Sequence, residues 1–208
     1  MVKGIIFDLD GVIVNTERNH FFAWERIADR LEIPFDESDN ELLKGLSRRD
    51  SLVKLLALKG GKLEEDLFDE VLNIKNTFYL NSLDKLSRAD ILPGVVDVLN
   101  LARENGVSLS VGSSSKNAKF ILDKLRLSEY FEIVIDGNGV TSPKPHPEVF
   151  LNAAKGMSLD PTECVVLEDA ASGVEAAKAG GFKVIGVGNP NIASLADDYL
   201  SDLTTFKF

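Results

Sequence analysis

Lys3-Gly4-Ile5-Ile6-Phe7-Asp8-Leu9-Asp10-Gly11 is the stretch that sets the fold. Three apolar residues, two of them β-branched, run into two carboxylates and a glycine, which reads as a buried strand ending in a polar turn. Four more short runs have the same character: Leu109-Ser110-Val111, Ile133-Val134-Ile135, Val165-Val166-Leu167 and Val184-Ile185-Gly186-Val187. Helix-length segments lie between them. One opens at Pro93-Gly94 and stops at Gly106, another begins near Ser115 to Asn117, and a third has Pro147 in its first turn and ends near Gly156. Ser172 and Glu175 read as a capping box ahead of Ala176-Ala177, with Gly180-Gly181 as the stop. Strands alternating with helices imply an α/β fold, a Rossmann-like parallel sheet covered on both faces.

Residues 15–86 break this rhythm. They hold no convincing strand, and Phe21, Trp24, Ile27, Ala28 and Leu31 recur at helical intervals. The expected division is therefore an α/β core from residues 1–14 and 87–208 and a small helical cap, residues 15–86, inserted after the first strand.

Net charge is −10, and the inserted segment alone carries 11 basic and 15 acidic residues. Binding a nucleic-acid backbone or an anionic membrane relies on clustered Lys and Arg, so both partners are disfavoured. No stretch approaches the ~18 apolar residues of a membrane helix. Cys164 is the single cysteine, which excludes an intrachain disulfide and a Cys-rich zinc site and suits a reducing compartment. The expectation is a cytoplasmic monomer that acts on a small molecule.

Ligands of parallel α/β sheets bind beyond the carboxyl ends of the strands. There the first strand supplies Asp8-Leu9-Asp10-Gly11, the second Gly112-Ser113-Ser114-Ser115-Lys116-Asn117 and the fourth Glu168-Asp169, while a loop offers Lys144 between Pro143 and Pro145. Asp8 and Asp10, two apart on an extended chain, point the same way and repel. Mg²⁺ would relieve that repulsion, take oxygen ligands and draw phosphate oxygens in, with Glu168 and Asp169 completing its shell. The second strand ends where a helix begins, a junction whose N–H groups attract anions. Each feature has a plainer explanation: a polar strand end, serine caps, a solvated lysine, acids ahead of a helix. Their convergence on one sheet edge favours chemistry.

Asp8-x-Asp10-Gly11-Val12-x-x-x-Thr16, Ser113, Lys144 and Glu168-Asp169 together resemble the four motifs of the haloacid dehalogenase superfamily, across the whole core. The insertion after the first motif resembles that superfamily's small helical cap. Within it, His20, Trp24, Leu43-Lys44-Gly45-Leu46-Ser47-Arg48-Arg49-Asp50-Ser51-Leu52 and Lys75-Asn76 are similar to the branch of sugar phosphomutases acting on beta-glucose 1-phosphate. Asn15 departs from that pattern, where Asp is usual, and so does Pro143 directly before Lys144.

The resemblance implies a Mg²⁺-dependent phosphomutase that interconverts beta-D-glucose 1-phosphate and glucose 6-phosphate through a phospho-aspartate enzyme and the 1,6-bisphosphate. Asp8 would be the nucleophile and Asp10 the general acid and base. Asp8, the Asp10 carbonyl, Glu168 and Asp169 would hold the metal. Ser113, Ser114 and Lys144 would bind the transferring phosphate; Arg48, Ser115, Lys116 and Asn117 would grip the other. His20 and Lys75 would couple cap closure to Asp10, Gly45, Leu46 and Ser47 would line the sugar, and Trp24 and Asn76 would complete the substrate site. The alternative is a sugar-phosphate phosphatase on the same scaffold. A non-enzymatic phosphoacceptor module ranks below both, because such modules lack a long helical insertion.

Overall fold

The computed structural model describes residues 2–207. Six parallel strands form one sheet: β1 (Gly4–Phe7), β2 (Ser108–Gly112), β3 (Ile133–Ile135), β4 (Cys164–Glu168), β5 (Lys183–Val187) and β6 (Asp198–Leu200), in spatial order β3-β2-β1-β4-β5-β6. The first five coincide with the apolar runs of the sequence. β6 has only one apolar residue and an exposed first position, so no hydrophobic signal announces it.

β1 is central, in register with β2 (Phe7 beside Val111) and β4 (Phe7 beside Leu167). The strand order reverses at β1, and the crevice beyond that reversal is where such sheets take ligands. Alternation along β1 builds both faces. Ile5 and Phe7 pack with α5 (Val95–Glu104) and α6 (Ala118–Leu125); Ile6 packs with α7 (Glu148–Gly156) and α8 (Ala171–Ala179).

Ser172 does not cap α8. That helix starts at Ala171 after Ala170, whose N–H is taken by Glu168 Oε2 at 2.8 Å, and the Ser172 hydroxyl instead reaches the Lys44 carbonyl at 3.5 Å. Among the described residues no side chain caps α8; Glu168 bonds only the N–H of the N-cap residue itself, so the box expected from Ser172 and Glu175 does not form.

Four α-helices occupy the inserted segment: α1 (Glu17–Arg30), α2 (Glu37–Glu41), α3 (Arg48–Lys59) and α4 (Phe68–Ser82). Trp24, Ile27, Leu52, Leu55, Leu56 and Phe68 give them a buried cluster of their own, distinct from those on the sheet. Two chain crossings join this cap to the core. They lie side by side, with Val14 bridged antiparallel to Ile91 and the Leu92 N–H donating to the Ile13 carbonyl at 2.9 Å. Among the described residues no helix is long and apolar enough to cross a membrane.

Candidate active site

The carboxyl ends of β1, β2 and β4 and the underside of the cap enclose one cavity. Asp8, Asp10, Asp169 and the Ser113–Asn117 loop line it from the core; His20, Trp24, Gly45, Leu46, Arg48 and Lys75 line it from the cap. Four of the candidate residues are not on its wall. Lys144 and Glu168 lie beneath Asp8, Asn76 stands behind Arg48, and Ser47 is the N-cap of α3, its hydroxyl accepting from the Asp50 N–H at 3.1 Å.

At the core end Lys144 Nζ donates to Asp8 Oδ1 and Glu168 Oε1, both at 2.6 Å, and its side chain is wholly buried. Burial alone would push the Lys144 ammonium down; the two carboxylates more than offset this and hold it above the ordinary lysine value. Burial pushes Asp8 up to about 7, with Lys144 pulling it back and Glu168 and Asp10 adding to the rise. Asp169 is raised well above the carboxylate range by burial, then by Glu168 and Asp8. Three acids thus share one ammonium, an unrelieved negative surplus in a place with little water.

The oxygen-only donors and that surplus fit a hard divalent cation. Gly11 serves the same arrangement: a Cβ there would lie 2.1 Å from Asp169 Oδ2, so the carboxylate sits against bare backbone. The cage is not pre-assembled, since among the described residues no three His, Cys, Asp or Glu side chains converge as a ligand set, and Glu168 is turned onto Lys144 and Ala170.

Asp10 lies between the two ends. The Thr16 hydroxyl donates to Asp10 Oδ1, and His20 Nε2 stands 3.9 Å from the same oxygen. Burial raises the Asp10 pKa, and the Thr16 bond restrains the rise. Thr16 is the N-cap position of α1, yet its side chain caps nothing; its oxygen is committed to Asp10.

The cap end is cationic. Lys75 Nζ is 3.0 Å from His20 Nδ1 and lies over the rings of Trp24 (4.9 Å) and Tyr79 (4.8 Å). Among the described residues it touches no carboxylate, so burial, reinforced by Arg48, lowers it to about 7. His20 is pushed well below its usual value by burial, then by Lys75 and Arg48. Arg48 donates to Asn76 Oδ1 at 2.8 Å, and Asn117 Nδ2 from the core reaches that oxygen at 2.9 Å. Ser114 Oγ also crosses to the cap, donating to the Gly45 carbonyl at 2.8 Å.

Three residues on this site were given no role from sequence. Thr16 belongs to the first motif, and only the fold shows its bond to Asp10. Tyr79 packs on His20 with its ring tilted by 47° and centroids 4.2 Å apart, and its buried hydroxyl faces Thr16 and Asp10 without a well-formed hydrogen bond. Its signal was there, since Lys75 and Tyr79 are four apart and share a helix face. Lys44 lines the cavity and pairs with Glu17 at 2.9 Å and Glu41 at 2.7 Å.

Comparison with known proteins agrees with this geometry. A family model described as haloacid dehalogenase-like hydrolase matches residues 2–181. The chain is 38% identical to the beta-phosphoglucomutase of Bacillus subtilis, over 98% of this chain and 92% of that one. It is 30% identical to a fructose-1-phosphate phosphatase of Escherichia coli, over 88% and 95%. A crystal structure of beta-phosphoglucomutase from Clostridium difficile superposes with a TM-score of 0.95 at 35% identity, covering 100% of this chain and 94% of that one. The chain therefore belongs to the haloacid dehalogenase-like hydrolases and is an enzyme of that superfamily.

Proposed function

We propose that this enzyme is a Mg²⁺-dependent phosphomutase that interconverts beta-D-glucose 1-phosphate and glucose 6-phosphate through a 1,6-bisphosphate, with its cap spanning residues 15–86. The observation that carries this reading is the cavity's two unlike ends: a buried carboxylate, Asp8, over Lys144, and opposite it an Arg48 with no acidic partner facing the Ser115–Asn117 loop. A bisphosphate that must be held in either orientation needs an anion site at each end.

Asp8 would attack phosphorus and carry the phosphoryl group as an acyl phosphate, splitting one transfer into two. Lys144, Ser113 and the Ser114 backbone would take the charge on the transferring group, since such transfer depends on alignment and neutralisation. Asp10, whose pKa burial raises, would hand a proton to the sugar oxygen and recover one from the next hydroxyl. Thr16 orients its carboxyl, and His20 and Lys75 tie that orientation to the cap. Arg48 suits the second phosphate because a guanidinium can donate two parallel bonds. Asp8, the Asp10 carbonyl, Glu168 and Asp169 would hold Mg²⁺, which would supply positive charge next to the transferring phosphate.

A coupled assay with Mg²⁺ and a trace of glucose 1,6-bisphosphate tests the reading. Glucose 6-phosphate should form from the beta anomer and not from the alpha; no product from the beta anomer refutes it. The second reading, a sugar-phosphate phosphatase, is favoured by the similarity to the E. coli fructose-1-phosphate phosphatase. Release of inorganic phosphate faster than isomerisation would select it.

A further inference from the structure

The loop after β2 has its peptides turned one way by a neighbour that none of the motifs includes. Gly137 N–H donates to the Ser115 carbonyl at 3.1 Å, and Asn138 Nδ2 donates to the Lys116 carbonyl at 3.2 Å. The Ser114 carbonyl also faces Gly137, whose missing Cβ would stand 2.5 Å from it. In a trans peptide C=O and N–H point in opposite directions. Three consecutive peptides with their carbonyls toward residues 137–138 therefore carry the N–H groups of Ser115, Lys116 and Asn117 on the opposite side.

What happens on that opposite side fits an anion cradle. Ser113 Oγ accepts from Ser115 N–H at 3.1 Å and Ser115 Oγ from Asn117 N–H at 3.2 Å. Both hydroxyl protons stay available, and the Lys116 N–H between them has no partner among the described residues. The clamp is itself anchored, because buried Asp136, next after β3, accepts from the Asn138 N–H at 2.9 Å. Gly137 does not have a positive φ, so the reason for glycine here is the close approach and not the backbone conformation.

We propose that Gly137 and Asn138 are positioning residues for phosphate recognition: they hold the Ser114–Lys116 carbonyls so that the Lys116 N–H and the Ser113 and Ser115 hydroxyls face the ligand. This rests on the reading that the Ser113–Asn117 loop grips the phosphate distal to Asp8.

The test compares Gly137→Ala, Asn138→Ala and Ser115→Ala in steady-state mutase kinetics with beta-glucose 1-phosphate, alongside thermal unfolding. Losing the single Asn138 side-chain bond should raise KM about fivefold, the equivalent of one hydrogen bond, with kcat within about twofold. Gly137→Ala should raise KM by at least about tenfold, because the alanine methyl displaces a backbone oxygen at the grip. Asn138 is exposed, so its variant remains informative if Gly137→Ala fails to fold. If Ser115→Ala raises KM while folded Asn138→Ala leaves it unchanged, the positioning role is overturned and the phosphate grip survives. If none of the three moves KM, the grip itself is in the wrong place and both readings fall. A fall in kcat with unchanged KM for Asn138→Ala would also overturn the inference.

Discussion

At the core end of the cavity one ammonium, Lys144, is held at 2.6 Å by Asp8 and Glu168, with Asp169 adding a third acid; at the cap end Lys75 and Arg48 touch no carboxylate among the described residues. Both lysines are buried to the same degree, yet one is driven above the ordinary lysine value and the other down to about 7. Burial is common to both, so the difference comes from neighbours. A metal-bound phosphate ester would add positive charge beside the core acids, and a second phosphate would give Arg48 an anionic partner.

Removing the proposed nucleophile should have the largest effect. Asp8→Asn is expected to lower kcat by about 10⁴-fold or more and to abolish acid-stable labelling by a phosphoryl donor, read by intact-mass spectrometry. Retained labelling would detach the core end from the chemistry. Chelation should act similarly: EDTA is expected to stop turnover and added Mg²⁺ to raise the thermal midpoint, an effect lost in Asp169→Asn.

The sharpest test of the asymmetry is the same replacement at both lysines. Lys144→Met leaves two buried carboxylates unpaired and should destabilise the fold by about 3–5 kcal/mol in urea titration. Lys75→Met removes a desolvated amine that has no ionic partner, and should leave stability equal or higher while kcat/KM drops by about 10²-fold through misplaced Asp10. Equal destabilisation at both sites would erase the distinction.

Arg48→Lys should be milder, raising KM about tenfold with kcat little changed, since an ammonium cannot make the paired contact. The cap-end lysine should also show in pH dependence. Lys75 titrates near 7 when folded and near its ordinary value of about 10.4 when unfolded, so between those limits the unfolded chain binds more protons and this group makes stability rise with pH. Urea midpoints measured from pH 7 to 10 should therefore climb more steeply in the wild type than in Lys75→Met.

Much of this was legible in the sequence because β1, β2 and β4 are buried on both faces and read as unbroken apolar runs, and because chemistry in such sheets collects at the strand ends. β6 was not legible: at the sheet's edge it packs on one side only, and Asp198-Tyr199-Leu200 carries no pattern. Ser172 misled because a capping box is a local rule, while in the fold its hydroxyl is drawn to the Lys44 carbonyl in the cap and α8 has no side-chain cap among the described residues. The placement of Asn76 behind Arg48, and not in the cavity wall, depends on how α3 and α4 pack, which spacing along one chain does not encode.

The paired crossings at Val14 and Ile91 bear on how the two ends meet. A two-ply strap flexes easily about one axis and resists torsion. Any swing of the helical half should then return Arg48 and Lys75 to the same seat, so that on the proposed mutase reading a bisphosphate that turned over would meet an unchanged lid.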